Sequence, residues 1–158
     1  MHTLIANTIG VGMLGPAHRE NLMVNGNFDA GVTGWTIETD GTFVEETGIF
    51  YSGTASGKLT LGTTGNNVAQ AVVTVVGKVY NYTAWVYLGP VTNSGYVYAA
   101  ALPYAALISS DITTVVGSWQ YLSGSFTAAS TLTFIGVGLT ADTGDIIYLD
   151  SVEVYKVT

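Results

Sequence analysis

The sequence predicts an all-β protein, an antiparallel jelly-roll β-sandwich with an extended N-terminal arm. Its 158 residues suffice for one domain with a sizeable core and are too few for two. Only 9% of them are charged and 20 are Gly, which excludes a disordered chain and a coiled coil. From Glu20 onward, short apolar and aromatic runs are separated by Gly, Asn, Thr and Asp turns, and no 3.6-residue periodicity is sustained.

These runs predict ten strands, with turns between them such as 31–34, 62–66 and 142–145. The strands are expected at 21–24, 35–38, 42–46, 57–62, 67–76, 79–88, 95–102, 118–126, 131–139 and 146–156. One helical turn is predicted at 104–109. We expect residues 1–19 to form the arm, with a hinge at Gly15-Pro16, and residues 20–158 to form the jelly roll.

The strand at 79–88 alternates clearly between two kinds of side chain. One set, predicted to face the core, contains Tyr80, Tyr82, Ala84, Val86 and Leu88. The other set, predicted to face outward, contains Asn81, Thr83, Trp85 and Tyr87. Two large rings on an outward face are unusual unless something covers them. In the next strand Tyr96 and Tyr98 also share one face.

Five stretches of the chain, in order, carry a family resemblance. They are 21–35, which contains Asn25-Gly26-Asn27-Phe28-Asp29 and Gly34-Trp35, then 51–61, 80–86, 119–127 and 147–154. Together they cover about residues 20–156 and resemble the family 4/9-type carbohydrate-binding modules, which have a galactose-binding-like jelly-roll fold. The resemblance implies that fold for nearly the whole chain. These residues also have a structural explanation that needs no family resemblance. Residues 25–27 suit a tight turn, and Phe28 and Trp35 can pack against the core on either side of the following loop.

The resemblance also implies a structural calcium ion, since related modules often bind one. The predicted ligands are Asp29 and Asp150, which a jelly roll can bring together, and Asn27. Calcium takes about six to eight oxygen ligands, so backbone carbonyls would complete the site. The family usually carries acidic residues at 27 and 29; Asn27 removes one charge.

Composition excludes several other functions. The only histidines, His2 and His18, lie in the arm and Cys is absent, so a catalytic triad or a thiolate zinc site within the domain is excluded. Glu45 and Glu46 are adjacent in a strand and point opposite ways, which is unsuited to paired-acid hydrolysis. We therefore predict that the chain is not an enzyme. The chain has four basic and eleven acidic residues, and this balance excludes nucleic acid as a binding partner. No apolar run is long enough to span a membrane.

Two functions remain open. The first is a free-standing or secreted carbohydrate-binding module, in which aromatic rings stack on a glycan and an amide binds its hydroxyl groups. The predicted stacking platform consists of Trp85, Tyr87, Tyr96 and Tyr98, with Asn81 or Gln120 as hydrogen-bonding neighbours.

The second, favoured function is a virion structural protein, most plausibly of a tailed phage. It would be a capsid decoration (cement) protein or a head or tail appendage, homo-oligomeric, assembled in the host cytoplasm, with the major capsid protein or other virion subunits as partners. The start of the chain does not resemble a secretion signal, because it lacks a basic region and an unbroken apolar stretch. The arm is predicted to dock through apolar side chains at Leu4, Ile5, Ile9, Val11, Met13 and Leu14.

Overall fold

A computed structural model describes residues 19–37, 40–63, 67–90, 92–102, 105–140 and 142–158. The predicted docking residues of the arm, Leu4, Ile5, Ile9, Val11, Met13 and Leu14, lie outside these ranges, and so does nearly all of the predicted 1–19 segment. None of the regular structure within the ranges is helical, so no helix there is suited to crossing a bilayer.

The chain forms ten strands in these ranges. They are β1 (Thr36–Ile37), β2 (Thr42–Glu46), β3 (Ser56–Thr60), β4 (Asn67–Val73), β5 (Val79–Leu88), β6 (Ser94–Leu102), β7 (Ala105–Thr113), β8 (Trp119–Thr127), β9 (Leu132–Thr140) and β10 (Ile146–Lys156).

The strands make two five-stranded sheets, and neighbouring strands pair antiparallel. The first sheet has the order β1-β4-β9-β6-β7, and the second has the order β2-β3-β10-β5-β8. Consecutive strands β5 and β6 therefore belong to different sheets. This architecture confirms the predicted all-β jelly-roll sandwich.

The core lies between the sheets and confirms the alternation read from β5. The five residues predicted to face inward are all buried. On the other face, Asn81, Trp85 and Tyr87 are partly exposed, and Thr83 is buried. Phe28 plugs the core next to the 25–35 loop, as predicted, and the partly buried Trp35 packs on it with ring centroids 5.3 Å apart. Leu59, Leu61, Phe126 and Val152 are also buried in this core.

Two local predictions were wrong. Residues 21–24 are not a strand, although the Leu22 N–H donates to the Val154 carbonyl, 2.8 Å away. The predicted helical turn at 104–109 is replaced by β7, an edge strand that pairs with β6 across a register shift at Ala99/Ala100. The Ser109 hydroxyl also meets the Tyr82 hydroxyl at 2.9 Å. Such long-range pairing overrides local propensity, which is why the short Ala- and Leu-containing segment misled the sequence interpretation.

Candidate functional site

Six aromatic side chains lie together on the outer face of the second sheet. Register pairs Trp85 with Tyr121 and Tyr87 with both Trp119 and Tyr148, so these rings are neighbours across β8, β5 and β10. The loop between β2 and β3 contributes one more ring. We call this group the aromatic cluster: Tyr51, Trp85, Tyr87, Trp119, Tyr121 and Tyr148.

Two neighbouring rings of the cluster partly cover Trp85. The Tyr51 ring stacks on Trp85 with centroids 3.8 Å apart and planes 13° from parallel, and Tyr121 lies at 5.4 Å on a tilted plane. Tyr51 remains 42% exposed and Tyr121 54% exposed. The rings most open to a ligand are therefore Tyr51 and Tyr121, with Trp85 as their support.

Asp150 in β10 holds Tyr51 over the sheet. Its carboxylate is fully buried, and Oδ2 accepts hydrogen bonds from the backbone N–H groups of Tyr51 and Ser52 at 2.8 and 2.9 Å. Burial raises the pKa of the Asp150 carboxyl, while the N–H donors of Ser52, Tyr51 and Ser151 oppose that rise. Asp150 is thus a structural anchor for the loop that carries Tyr51.

Asp29 holds the other end of the same loop. Its exposed carboxylate accepts bonds from the Thr54 N–H and hydroxyl, both at 2.8 Å, and these bonds lower the pKa of Asp29. The Asn27 amide donates to Oδ2 of Asp29 at 2.7 Å. Gly53 passes close beside the carboxylate, where a Cβ would lie 2.5 Å from Oδ1, and its φ is +70°. Only glycine fits this position without strain.

This arrangement does not fit the predicted calcium ligands Asp29, Asp150 and Asn27. Most of the groups that face the two carboxylates are backbone N–H donors, which carry the wrong polarity to share a site with a cation. Across the part of the chain that the structure describes, no three acidic or histidine side chains cluster to hold a metal. Calcium binding stays a prediction, and it requires the 51–54 loop to release the carboxylates.

We expect the melting temperature of the purified protein to be the same in excess chelator and in excess calcium, because the loop donors already satisfy both carboxylates. Differential scanning calorimetry measures this directly. An ion that bound only the folded state would raise the melting temperature with its concentration. A calcium-dependent rise that Asp29→Asn removes would contradict our expectation and support the predicted site.

The predicted glycan-binding residues lie on two opposite surfaces. Trp85, Tyr87 and Asn81 are on the outer face of the second sheet, whereas Tyr96 and Tyr98 point away from the core on the first sheet. Because the sandwich core separates the two faces, the four rings do not form one platform, and that part of the prediction was wrong. Tyr98 is also only 1% exposed.

A polar hollow of about 310 Å³ adjoins the aromatic cluster at Tyr121. Asn81, the amide predicted from sequence, lies in its wall, and uncharged hydroxyl groups provide most of the other polar atoms. The lining residues with an outward-facing amide or hydroxyl group are Asn81, Thr83, Tyr121, Ser123, Ser125 and Tyr155. Hydroxyl and amide groups beside exposed rings offer both hydrogen bonds and a stacking surface.

Comparisons with known proteins agree with this architecture. The family described as "Carbohydrate binding domain", of the 4/9 type, matches residues 20–137. No curated protein matches the chain. A solved family 16 carbohydrate-binding module is 22% identical over 85% of this chain and 99% of its own, with a TM-score of 0.66. A xylan-binding domain of family 22 is 15% identical over 89% of this chain and 97% of its own, with a TM-score of 0.68.

A third similar structure is the enzymatically active domain of tailspike protein 4 from bacteriophage CBA120. It is 16% identical over 87% of this chain but only 21% of its own length, with a TM-score of 0.61. Identities this low show a shared fold alone, whereas the family match covers most of the chain. The chain therefore belongs to the 4/9 family of carbohydrate-binding domains.

Proposed function

We propose that the chain is a non-catalytic module that binds a neutral glycan through the aromatic cluster. The observation that carries the proposal is the pair of exposed rings, Tyr51 and Tyr121, which both pack on Trp85, with Tyr121 also lining the polar hollow. A pyranose ring presents a broad face of C–H groups, which stacks on such rings. Its hydroxyl groups would reach the hydroxyl and amide groups of the hollow.

Charge favours a neutral ligand over an acidic one. No lining residue of the hollow is charged, and the chain carries a net charge of −7. An anionic glycan would approach this field with no basic partner in the hollow. The lining also contains no carboxylate, whereas glycoside hydrolysis requires two opposed ones. Binding without hydrolysis is the chemistry that this surface supports.

We expect Tyr121→Ala to weaken glycan binding roughly five- to tenfold, because loss of one stacking ring costs on the order of 1–1.5 kcal/mol. The melting temperature should change little, since the ring is largely exposed. The ligand is first selected on an array of neutral β-linked oligosaccharides that includes xylo-oligosaccharides, and its affinity is then measured by titration calorimetry.

Tyr96→Ala is the matched control, because it removes a tyrosine from the opposite outer face. It should leave affinity unchanged. If Tyr96→Ala abolished binding and Tyr121→Ala did not, the glycan site would lie on the first sheet instead. If no neutral glycan on the array bound, the proposed function would be wrong.

A second candidate function is a structural role in a phage particle, as a decoration protein or an appended module. The similarity to part of a bacteriophage tailspike supports it. In this role the chain would be homo-oligomeric and would contact the major capsid protein or another virion subunit. Mass spectrometry of density-purified particles tests it. Stoichiometric amounts of the chain support the role, and its absence from intact particles argues against it.

A further inference from the structure

The polar hollow has a tyrosine ring at each of two opposite corners. Register pairs Trp85 of β5 with Tyr121 of β8, and it pairs Asn81 of β5 with Tyr155 of β10. Tyr121 and Tyr155 both line the hollow. The two rings therefore lie diagonally across β5, one on each neighbouring strand, at levels four residues apart along β5.

The side chains between the two rings are short. Thr83 of β5 pairs with Ser123 of β8, and Asn81 pairs with Ser125, so hydroxyl and amide groups form the middle of the hollow. Four residues along a strand and two strand spacings across the sheet separate the Cα atoms of the two tyrosines by roughly 16 Å. A pyranose ring is similar in size to one tyrosine ring, so a single sugar cannot contact both.

Tyr155 points out of the sandwich. Its neighbour Val154 is fully buried and pairs with Tyr82, whose side chain faces the core. Because side chains alternate along a strand, Tyr155 lies on the outer face of the second sheet. Its side chain is half-buried, which leaves part of the ring accessible to a ligand.

Arg19 holds the Tyr155 ring in place. The central carbon of the guanidinium lies 5.0 Å from the ring centroid, within the range of a cation–π contact. Both residues line a second hollow of about 370 Å³, whereas Tyr155 but not Arg19 lines the polar hollow. Arg19 therefore contacts the ring from the side of the second hollow, and a ligand in the polar hollow would meet the ring from the other side.

We propose that Tyr155 is a second stacking ring of the glycan site, positioned by Arg19, and that the site takes an oligosaccharide long enough to reach from Tyr121 to Tyr155. This inference rests on the proposed function, because Tyr121 is the first of the two rings. One sugar would stack at each ring, and the sugars between them would bond to the hydroxyl and amide groups of the hollow. Two stacking contacts within one ligand reinforce each other, since binding at the first ring raises the effective concentration of the ligand at the second.

Titration calorimetry with a series of ligand lengths tests the inference. The ligands are xylose to xylohexaose, or the same lengths of another neutral sugar if the array selects one. We expect affinity to rise sharply at the length that first reaches Tyr155. Tyr155→Ala should lower the affinity for the hexasaccharide roughly five- to tenfold and leave the affinity for the shortest ligand that binds unchanged. Tyr121→Ala should weaken binding at every length.

Four further variants separate stacking from a structural role. Tyr155→Phe keeps the ring and should bind the hexasaccharide as the parent does. Arg19→Ala should lower the affinity for the long ligands only, and Arg19→Lys should recover part of that loss because it keeps a cation beside the ring. Lys156→Ala is the matched control, since it removes another positive charge from the second hollow, and it should leave every affinity unchanged.

The outcomes distinguish this inference from the proposed function. If Tyr155→Ala bound every length as the parent does while Tyr121→Ala weakened binding, the inference would be wrong and the proposed function would stand. An equal loss at every length for Tyr155→Ala would also overturn the inference, because the ring would then support the fold of the site and not the far end of the ligand. If no glycan of any length bound, the proposed function itself would fail, and this inference with it.

Discussion

Replacing Asp150 with Ala is expected to lower the free energy of unfolding by about 3 kcal/mol, since hydrogen bonds to a charged group contribute roughly 1.5–3 kcal/mol each and two partly buried N–H donors would lose their partner. The buried carboxylate accepts the N–H groups of Tyr51 and Ser52, so its loss frees the loop. Tyr51 should then leave Trp85. Urea unfolding measures the stability, and tryptophan fluorescence with near-ultraviolet circular dichroism reports the lost stacking.

Two variants make the Asp150 result specific. Asp150→Asn keeps one acceptor oxygen and removes the charge that burial disfavours, so the loss of stability should be smaller than for Ala. Asp142→Ala removes an exposed carboxylate from the turn before β10 and should change stability by no more than about 0.5 kcal/mol. Equal losses for Asp150→Ala and Asp142→Ala would show that the loop is not anchored as described.

Trp85→Ala is expected to cost about 2–3 kcal/mol of stability, which is less than removal of a fully buried aromatic ring because Trp85 is only partly buried. The change removes the surface on which Tyr51 stacks and against which Tyr121 packs. Glycan affinity should fall too, because both exposed rings lose their support. Chemical denaturation and calorimetric titration of the same preparation separate the two effects.

Tyr121→Ala is the control variant for Trp85→Ala, because it separates loss of a binding ring from loss of stability. It should weaken binding while stability stays within about 1 kcal/mol of the parent, as is usual at an exposed position. Trp85→Ala as stable as the parent would mean that Trp85 is a free stacking surface and not a support. Trp85→Phe should recover part of the lost stability by restoring a ring.

The alternation along β5 predicted correctly which side chains face the core, because a period of two follows from strand geometry alone. It could not assign β5 and β6 to different sheets, since the sheet that a strand joins depends on distant partners. That is why Tyr96 and Tyr98 were grouped with Trp85 and Tyr87 although they lie on the opposite face.

Tyr51 and Tyr121 were missed as candidate binding residues for a similar reason. The position of Tyr51 depends on a hydrogen bond to Asp150, which is 99 residues away along the chain. Tyr121 reaches Trp85 only through the register of β5 with β8. A one-residue slip of that register would place the ring on the other face, and sequence patterning does not specify it.

The anchoring of Tyr51 by the strand at the far end of the domain has a consequence during synthesis. β10 lies in the middle of the second sheet, between β3 and β5, yet it leaves the ribosome after the other nine strands that the structure describes. Until it does, the second sheet has a gap at its centre and the 51–54 loop has no Asp150 to hold it. Nascent or prematurely terminated chains would expose unpaired strand edges, a known route to aggregation. Only chains that include β10 would carry an assembled Tyr51–Trp85 stack, so ligand binding would distinguish chains that include this strand from shorter ones.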